Sequence, residues 1–297
     1  MTDKTTTYLL RTILFTGFAL VAFAANSVLC RLALGGKTID ASSFTIIRLI
    51  SGAIVLFAIT HIHRHETTAN KNGSWAAGLM LFLYAITFSY AYNTLDTATG
   101  ALILFGAVQI TMILLSLISG NRLHLTEWLG VGVAFTGFVY LILPDVTKPS
   151  VLGFALMTVA GIAWGIYTLK GRGSKNPLMD TTYNFIRTIP LVIILALITL
   201  EQAHYSLEGI VLAILSGGIA SGIGYTIWYI ALGGLSATQA AVVQLSVPVI
   251  AAMGGVIFVS EAITFRLTIS ALMILGGILS LVLGRYYFVQ LESKVQR

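Results

Sequence analysis

Two arginines stand in matching frames inside apolar runs. SSFTIIRLI occupies residues 42–50 and TTYNFIRTI residues 181–189, so Arg48 and Arg187 each follow a hydroxyl pair, an aromatic and an isoleucine. A guanidinium is charged at any accessible pH, so its chemistry is electrostatic. It can grip a carboxylate, or it can snorkel to an interface and bond helix-end carbonyls. Both readings stand on sequence alone, and the structural or gating role is the plainer one. Aromatics and mid-helix amides supply the rest of the candidate chemistry. Tyr84 and Phe88 lie four apart, Trp164 and Tyr167 three apart, and Tyr225, Trp228 and Tyr229 share one helical face. Asn26, Gln109, Gln244 and Pro248 interrupt otherwise apolar stretches. Aromatic faces stack on aromatic solutes or hold an ammonium, and a buried amide in hydrocarbon needs a polar partner. Pro248 removes a backbone N–H, which suits a hinge or a freed carbonyl. The plain alternative for each aromatic is packing or an interface belt.

Other chemistries lack their residues. His61, His63 and His65 alternate in one loop, which reads as solvated and mildly basic because no Cys/His cluster has metal-ligand spacing, and Cys30 is the single cysteine. No metal, cofactor or catalytic residue is therefore expected. No phosphate-binding Gly-x-x-x-x-Gly-Lys-Ser/Thr loop is present, so ATP is not the expected energy source. All Asp and Glu residues fall in loops or near helix ends. A midspan carboxylate is what proton carriers and exporters of cationic drugs keep, so neither chemistry is favoured.

The elements that must position these residues follow from composition. The chain has 297 residues, 57% hydrophobic and 9% charged, against roughly 25% charged in a soluble domain. Apolar runs of about 20 residues recur along its length, so the solvent is lipid. Ten spans are predicted near 12–33, 42–62, 75–92, 99–119, 126–143, 151–169, 180–200, 210–232, 238–259 and 267–287. The first span reads as a retained helix, because its apolar run continues to Leu34 past the small residues around Ala22. An even number of spans puts both termini on one side. Placing them in the cytoplasm leaves only Arg31, Lys37, Lys148 and Arg266 outside among the loop lysines and arginines. The net charge of +6 is spread over short loops, which argues against nucleic-acid binding.

The two arginine frames belong to a larger repeat. Gly17-Phe18-Ala19-Leu20 recurs as Gly153-Phe154-Ala155-Leu156. A spacing of 139 pairs Ser42–Arg48 with Thr181–Arg187, Thr97-Ala98-Thr99 with Ser236-Ala237-Thr238, Tyr90 with Tyr229 and Gly137 with Gly276. Residues 1–145 and 146–297 thus read as two five-helix repeats, inverted because five is odd. Such a chain is an all-α polytopic membrane protein with a site near the midplane, built for alternating access. Arg48 and Arg187 would then lie roughly 10 Å in from opposite faces. Small-xxx-small pairs at Gly161/Gly165, Gly218/Gly222 and Gly276/Ser280/Gly284 predict close helix contacts.

The stretch LSATQAAVVQLSVPVIAAMGGVIFVSEAITFRLTISALMILGGILSLVLG, residues 235–284, resembles the drug/metabolite transporter superfamily in its ten-helix EamA-like branch. Pro248, Glu261 and the Gly276-Gly277 pair carry the resemblance, and it extends over the whole chain. The first repeat departs from it: Gln109 stands in the slot of Pro248 and Arg122 in that of Glu261. That asymmetry points Glu261 to helix-start capping or loop anchoring. The overall look is similar to bacterial aromatic amino-acid exporters. The resemblance implies a cavity lined by helices 1, 3, 4, 6, 8 and 9, with pairs 3–4 and 8–9 as gates. The expected function is ATP-independent export of aromatic or neutral amino acids down their gradient, from the inner membrane of a bacterial cell. A broad metabolite or multidrug exporter, with or without proton coupling, is the alternative. The partners implied are a small solute and the lipid bilayer, with no nucleic acid and no required protein.

Overall fold

A computed structural model describes residues 2–62, 73–118, 125–142, 149–171, 174–235 and 243–295. His63, His65 and Arg122 lie outside these residues. The described chain is helical: α1 Thr2–Gly35, α2 Ala41–Ile62, α3 Trp75–Ala91, α4 Thr97–Ile118, α5 Leu125–Ile142, α6 Val151–Gly171, α7 Pro177–Thr199, α8 Leu207–Leu232, α9 Val247–Val259 and α10 Phe265–Val295. Six of these are long and apolar enough to cross a membrane, and the other four contain shorter apolar helices. The protein is a polytopic membrane protein, and large side chains such as Phe18, Ile54, Leu197 and Phe258 face outward where lipid would cover them.

Helix starts follow local capping chemistry. Ser74 accepts from the N–H of Ala77, Ser206 from that of Gly209, and Asn176 from that of Met179 ahead of Pro177. Two connections dock on helix starts far away in sequence. Asp40, just before α2, accepts from the backbone N–H of His204 at 2.9 Å and donates its own N–H to the His204 carbonyl. Asp180, in the first turn of α7, accepts from the N–H of Gly73 at 2.8 Å, and Asn184 accepts from that of Ser74. Burial disfavours the charged form of Asp40, but hydrogen bonds from Ser43, His204 and Ser42 outweigh it and hold the carboxyl below its usual range.

The packing pattern is close to its own image when helix n is exchanged with helix n+5. α2 packs on α7, α4 on α9 and α5 on α10. The α3–α6 and α4–α6 contacts reappear as α8–α1 and α9–α1, and α2–α8 and α2–α3 as α7–α3 and α7–α8. Glycines permit the closest approaches. A Cβ on Gly161 would lie 2.7 Å from the Leu104 carbonyl, and one on Gly217 would collide with the Arg48 carbonyl.

Three details differ from the sequence expectation. The stretch Leu215–Ile223 within α8 is π-helical. The ninth span is not one helix over 238–259, because a turn at Leu245 and Ser246 precedes α9. Pro248 therefore sits in the first helical turn, where a missing N–H costs nothing, and does not break a helix interior. On α10 it is Gly277, against the Gly130 carbonyl, that makes the close contact, while a Cβ on Gly276 would meet nothing within 4 Å.

Candidate functional site

Arg48 lies in the protein interior, 1% exposed, with no carboxylate beside it among the described residues. The expectation that it snorkels to an interface does not hold. Its Nε donates to Ser221 at 3.2 Å, and its Nη2 donates to the hydroxyls of Tyr84 at 2.9 Å and Tyr225 at 3.0 Å. The guanidinium carbon sits 5.2 Å from the centre of the Tyr84 ring and 4.9 Å from that of Phe88. Hydroxyl dipoles and aromatic faces thus substitute for a counter-ion. That arrangement leaves the site electropositive, since stabilising dipoles do not cancel a full charge.

The π segment explains how α8 reaches both Arg48 and α1. Ser216 and Ser221 both donate to Asn26 Oδ1, at 2.8 and 3.2 Å. Five residues along an ideal α-helix would turn those side chains about 140° apart. The wider π turn brings them to one face, and Gly217 lets the backbone rest against α2. Asn26, 2% exposed, is thereby fixed in orientation.

Aromatic rings close round this polar centre. Trp164 lies 4.9 Å from Tyr84, 4.6 Å from Tyr225 and 5.3 Å from Tyr167 between ring centroids. Phe23 is 5.5 Å from Trp228 and 5.9 Å from Trp164, and Tyr229 is 6.3 Å from Tyr167. The structure brings Asn26, Tyr84, Phe88, Trp164, Tyr167, Trp228 and Tyr229 into one cluster around Arg48 or continuous with it. Gln109, Gln244 and Pro248 are buried on α4, ahead of α9 and at its start. Arg187 goes elsewhere: half-buried, it stacks 5.7 Å over Tyr183 and lies against the start of α3 near Gly73. The matched sequence frames therefore hold unequal arginines.

Sequence reasoning missed Ser216, Ser221, Phe23 and Phe185, and undervalued Tyr225. The signal for Tyr225 was present, three residues from Trp228 and four from Tyr229. Nothing in the sequence marks the π turn that aims the serines.

A second polar cluster ties the ends of α1, α3, α4 and α9 on the side away from the termini. Arg31 Nε lies 2.9 Å from Glu261 Oε1, and its Nη2 3.3 Å from Asp96 Oδ1. Arg31 Nη1 donates to the Tyr92 carbonyl, and Glu261 Oε2 accepts from the Thr97 N–H at 2.8 Å, capping α4. The side chains of Arg31 and Glu261 are 20% and 12% exposed. Cys30 lies buried beside this cluster. In the repeat frame Glu261 corresponds to Arg122 and, at the spacing of 136 that joins Gly17 to Gly153, Arg31 corresponds to Tyr167, so the ion pair has no counterpart in the other repeat.

Comparison with known proteins agrees with the architecture. The sequence model of the EamA-like transporter family matches residues 10–143 and again residues 151–283. An uncharacterized protein of Pseudomonas aeruginosa is 47% identical over 268 residues, covering 90% of this chain and 93% of its own. The threonine/homoserine exporter RhtA of Escherichia coli is 27% identical over 268 residues, covering 87% and 86%. One solved crystal structure superposes with a TM-score of 0.62 at 17% identity, over 90% of this chain and 98% of that one, and so shares the fold.

Proposed function

Because the chain belongs to the EamA-like transporter family, we propose that it exports aromatic or neutral amino acids from the cytoplasm by alternating access, without ATP and down the solute gradient. The observation that carries this reading is the Arg48 centre: a buried cation without a counter-ion, enclosed by Tyr84, Phe88, Trp164 and Tyr225. Apolar walls with few, fixed polar groups suit a small amphipathic solute. Export of amino acids by the Escherichia coli relative supports the solute class, and the ring cluster favours an aromatic side chain.

The chain is read as two inverted repeats, residues 1–145 and 146–297, with both termini cytoplasmic in a bacterial inner membrane. The Arg31–Glu261–Asp96 cluster then lies at the external end and acts as the closed external gate. Opening alternately at the two ends moves the solute past Arg48. Midspan carboxylates that would relay protons are absent from the sequence, which supports uncoupled transport. The test is counterflow of labelled phenylalanine into proteoliposomes, with and without a pH gradient. Exchange that Trp164→Ala abolishes and a pH gradient leaves unchanged is expected. Exchange that demands the proton gradient refutes uncoupled export, and inhibition by hydrophobic amines but not by amino acids favours the multidrug alternative.

A further inference from the structure

Donor accounting at the Arg48 centre names the group that the site receives. A guanidinium carries five N–H bonds, and three of them are used here, by Ser221, Tyr84 and Tyr225. The remaining two are both on Nη1, which is buried and without a partner among the described residues. Ser221 accepts from Arg48, so its own hydrogen goes to Asn26 Oδ1, which also accepts from Ser216. Asn26 thus has its oxygen satisfied and its Nδ2 left over, buried and unpartnered. Trp228 Nε1, one turn beyond Tyr225, is likewise buried without an acceptor.

These three nitrogens can only donate, and Asn26 is joined to Arg48 through Ser221, which binds both; the Tyr167 hydroxyl of the same aromatic cluster is also buried without a partner among the described residues. A buried polar group without a partner costs roughly 1–3 kcal/mol, and a buried charge more. An excess of donors around a cation is what a bound anion relieves, and a carboxylate offers two oxygens with about four lone-pair sites. Its oxygens can accept from the two remaining N–H bonds of the buried Nη1 and from the Asn26 amide.

We infer that Arg48 Nη1 and Asn26 Nδ2, with Trp228 Nε1, form the carboxylate seat of the transport site, so a carboxylate is the obligatory feature of the solute while an ammonium is not. This rests on the transporter reading above and sharpens it. Solutes that keep the ring and the carboxylate but lack the amine are ligands. Solutes that keep the ring and the amine but lack the carboxylate are not.

The inference is tested by thermal shift on the purified full chain, using phenylalanine, 3-phenylpropionate, phenethylamine and 3-phenylpropanol as matched probes, with chloride as the inorganic control. Phenylalanine and phenylpropionate are expected to stabilise the wild type, and the amine and alcohol not. Asn26→Asp keeps the oxygen held by Ser216 and Ser221 and gives Arg48 an internal carboxylate. It is expected to raise the Tm of the ligand-free protein and weaken phenylpropionate binding by about tenfold or more. Arg48→Lys keeps the charge but loses the fixed, planar Nη1 donors, and intermediate affinity is expected. Stabilisation by phenylpropionate but not phenylalanine retains the carboxylate seat while refuting amino-acid export. Stabilisation by phenethylamine without phenylpropionate overturns the inference. So does equal stabilisation by chloride, unchanged binding in Asn26→Asp, or no response to any carboxylate.

Discussion

Replacing Glu261 by Gln should open the external end of the transporter. The glutamine oxygen can still accept from the Thr97 N–H, so the α4 cap survives and the charge alone is lost. The Arg31–Glu261 pair spans 2.9 Å, with side chains 20% and 12% exposed. Coulomb attraction at about 4 Å and an effective dielectric near 20 is roughly 4 kcal/mol. Desolvation and residual water reduce that to about 1–2 kcal/mol, between exposed and buried pairs. Such a loss shifts the closed-to-open ratio by roughly 5–30-fold. Cys30, the single cysteine, is fully buried next to Arg31 and provides the reporter. The rate of its modification by an impermeant, charged thiol reagent added outside intact cells should rise by about the same factor, provided modification tracks the open population. Arg31→Met should do the same, and the double variant should add little to either, because both remove one interaction. A Glu261→Gln rate within about twofold of wild type, or additive single effects, refutes the latch.

Tyr225→Phe removes one of the hydroxyls that accept from Arg48 and should destabilise the protein by about 1–3 kcal/mol, read as lower Tm. Gly217→Ala should cost about 1–3 kcal/mol or more through collision with the Arg48 carbonyl. Gly276→Ala meets open space, so it should leave Tm unchanged or raise stability by about 0.4–1 kcal/mol. The depressed Asp40 carboxyl contributes stability above its unfolded pKa, near 3.9, and loses it as pH falls through the lower folded value. Asp40→Ala should therefore lower Tm at neutral pH, and its difference from wild type should shrink as the pH is taken well below 4 (about the unfolded value).

The helices were legible because burying backbone in lipid forces long apolar runs, but α1 and α10 extend past their apolar runs into polar terminal turns, and α9 begins later than predicted, at Val247. The aromatic cluster was legible in part: Tyr84 with Phe88, Trp164 with Tyr167, and Tyr225 with Trp228 and Tyr229 each fall at helical spacings that share one face of their own helix. The depth of Arg48 was not. Snorkelling and burial look alike in one strand of sequence, since the choice depends on hydroxyls that α3 and α8 deliver from elsewhere. Ser216 and Ser221 were hidden because an α-helical wheel separates them, and only the π turn unites them on Asn26. Pro248 misled for a related reason: a proline that starts a helix reads like one that kinks it until the preceding turn is seen. The inequality of Arg48 and Arg187 also escaped the repeat, which records descent from a shared frame but not the later partners of each copy.

Trans-stimulation measures the central claim most directly. Proteoliposomes preloaded with unlabelled tryptophan, threonine or buffer would be given labelled phenylalanine outside. The account predicts fast accumulation above equilibrium with tryptophan inside, slower accumulation with threonine and only equilibration with buffer, all abolished in Arg48→Gln protein that retains its fold. Accumulation driven equally by buffer, or undiminished in Arg48→Gln, would contradict it.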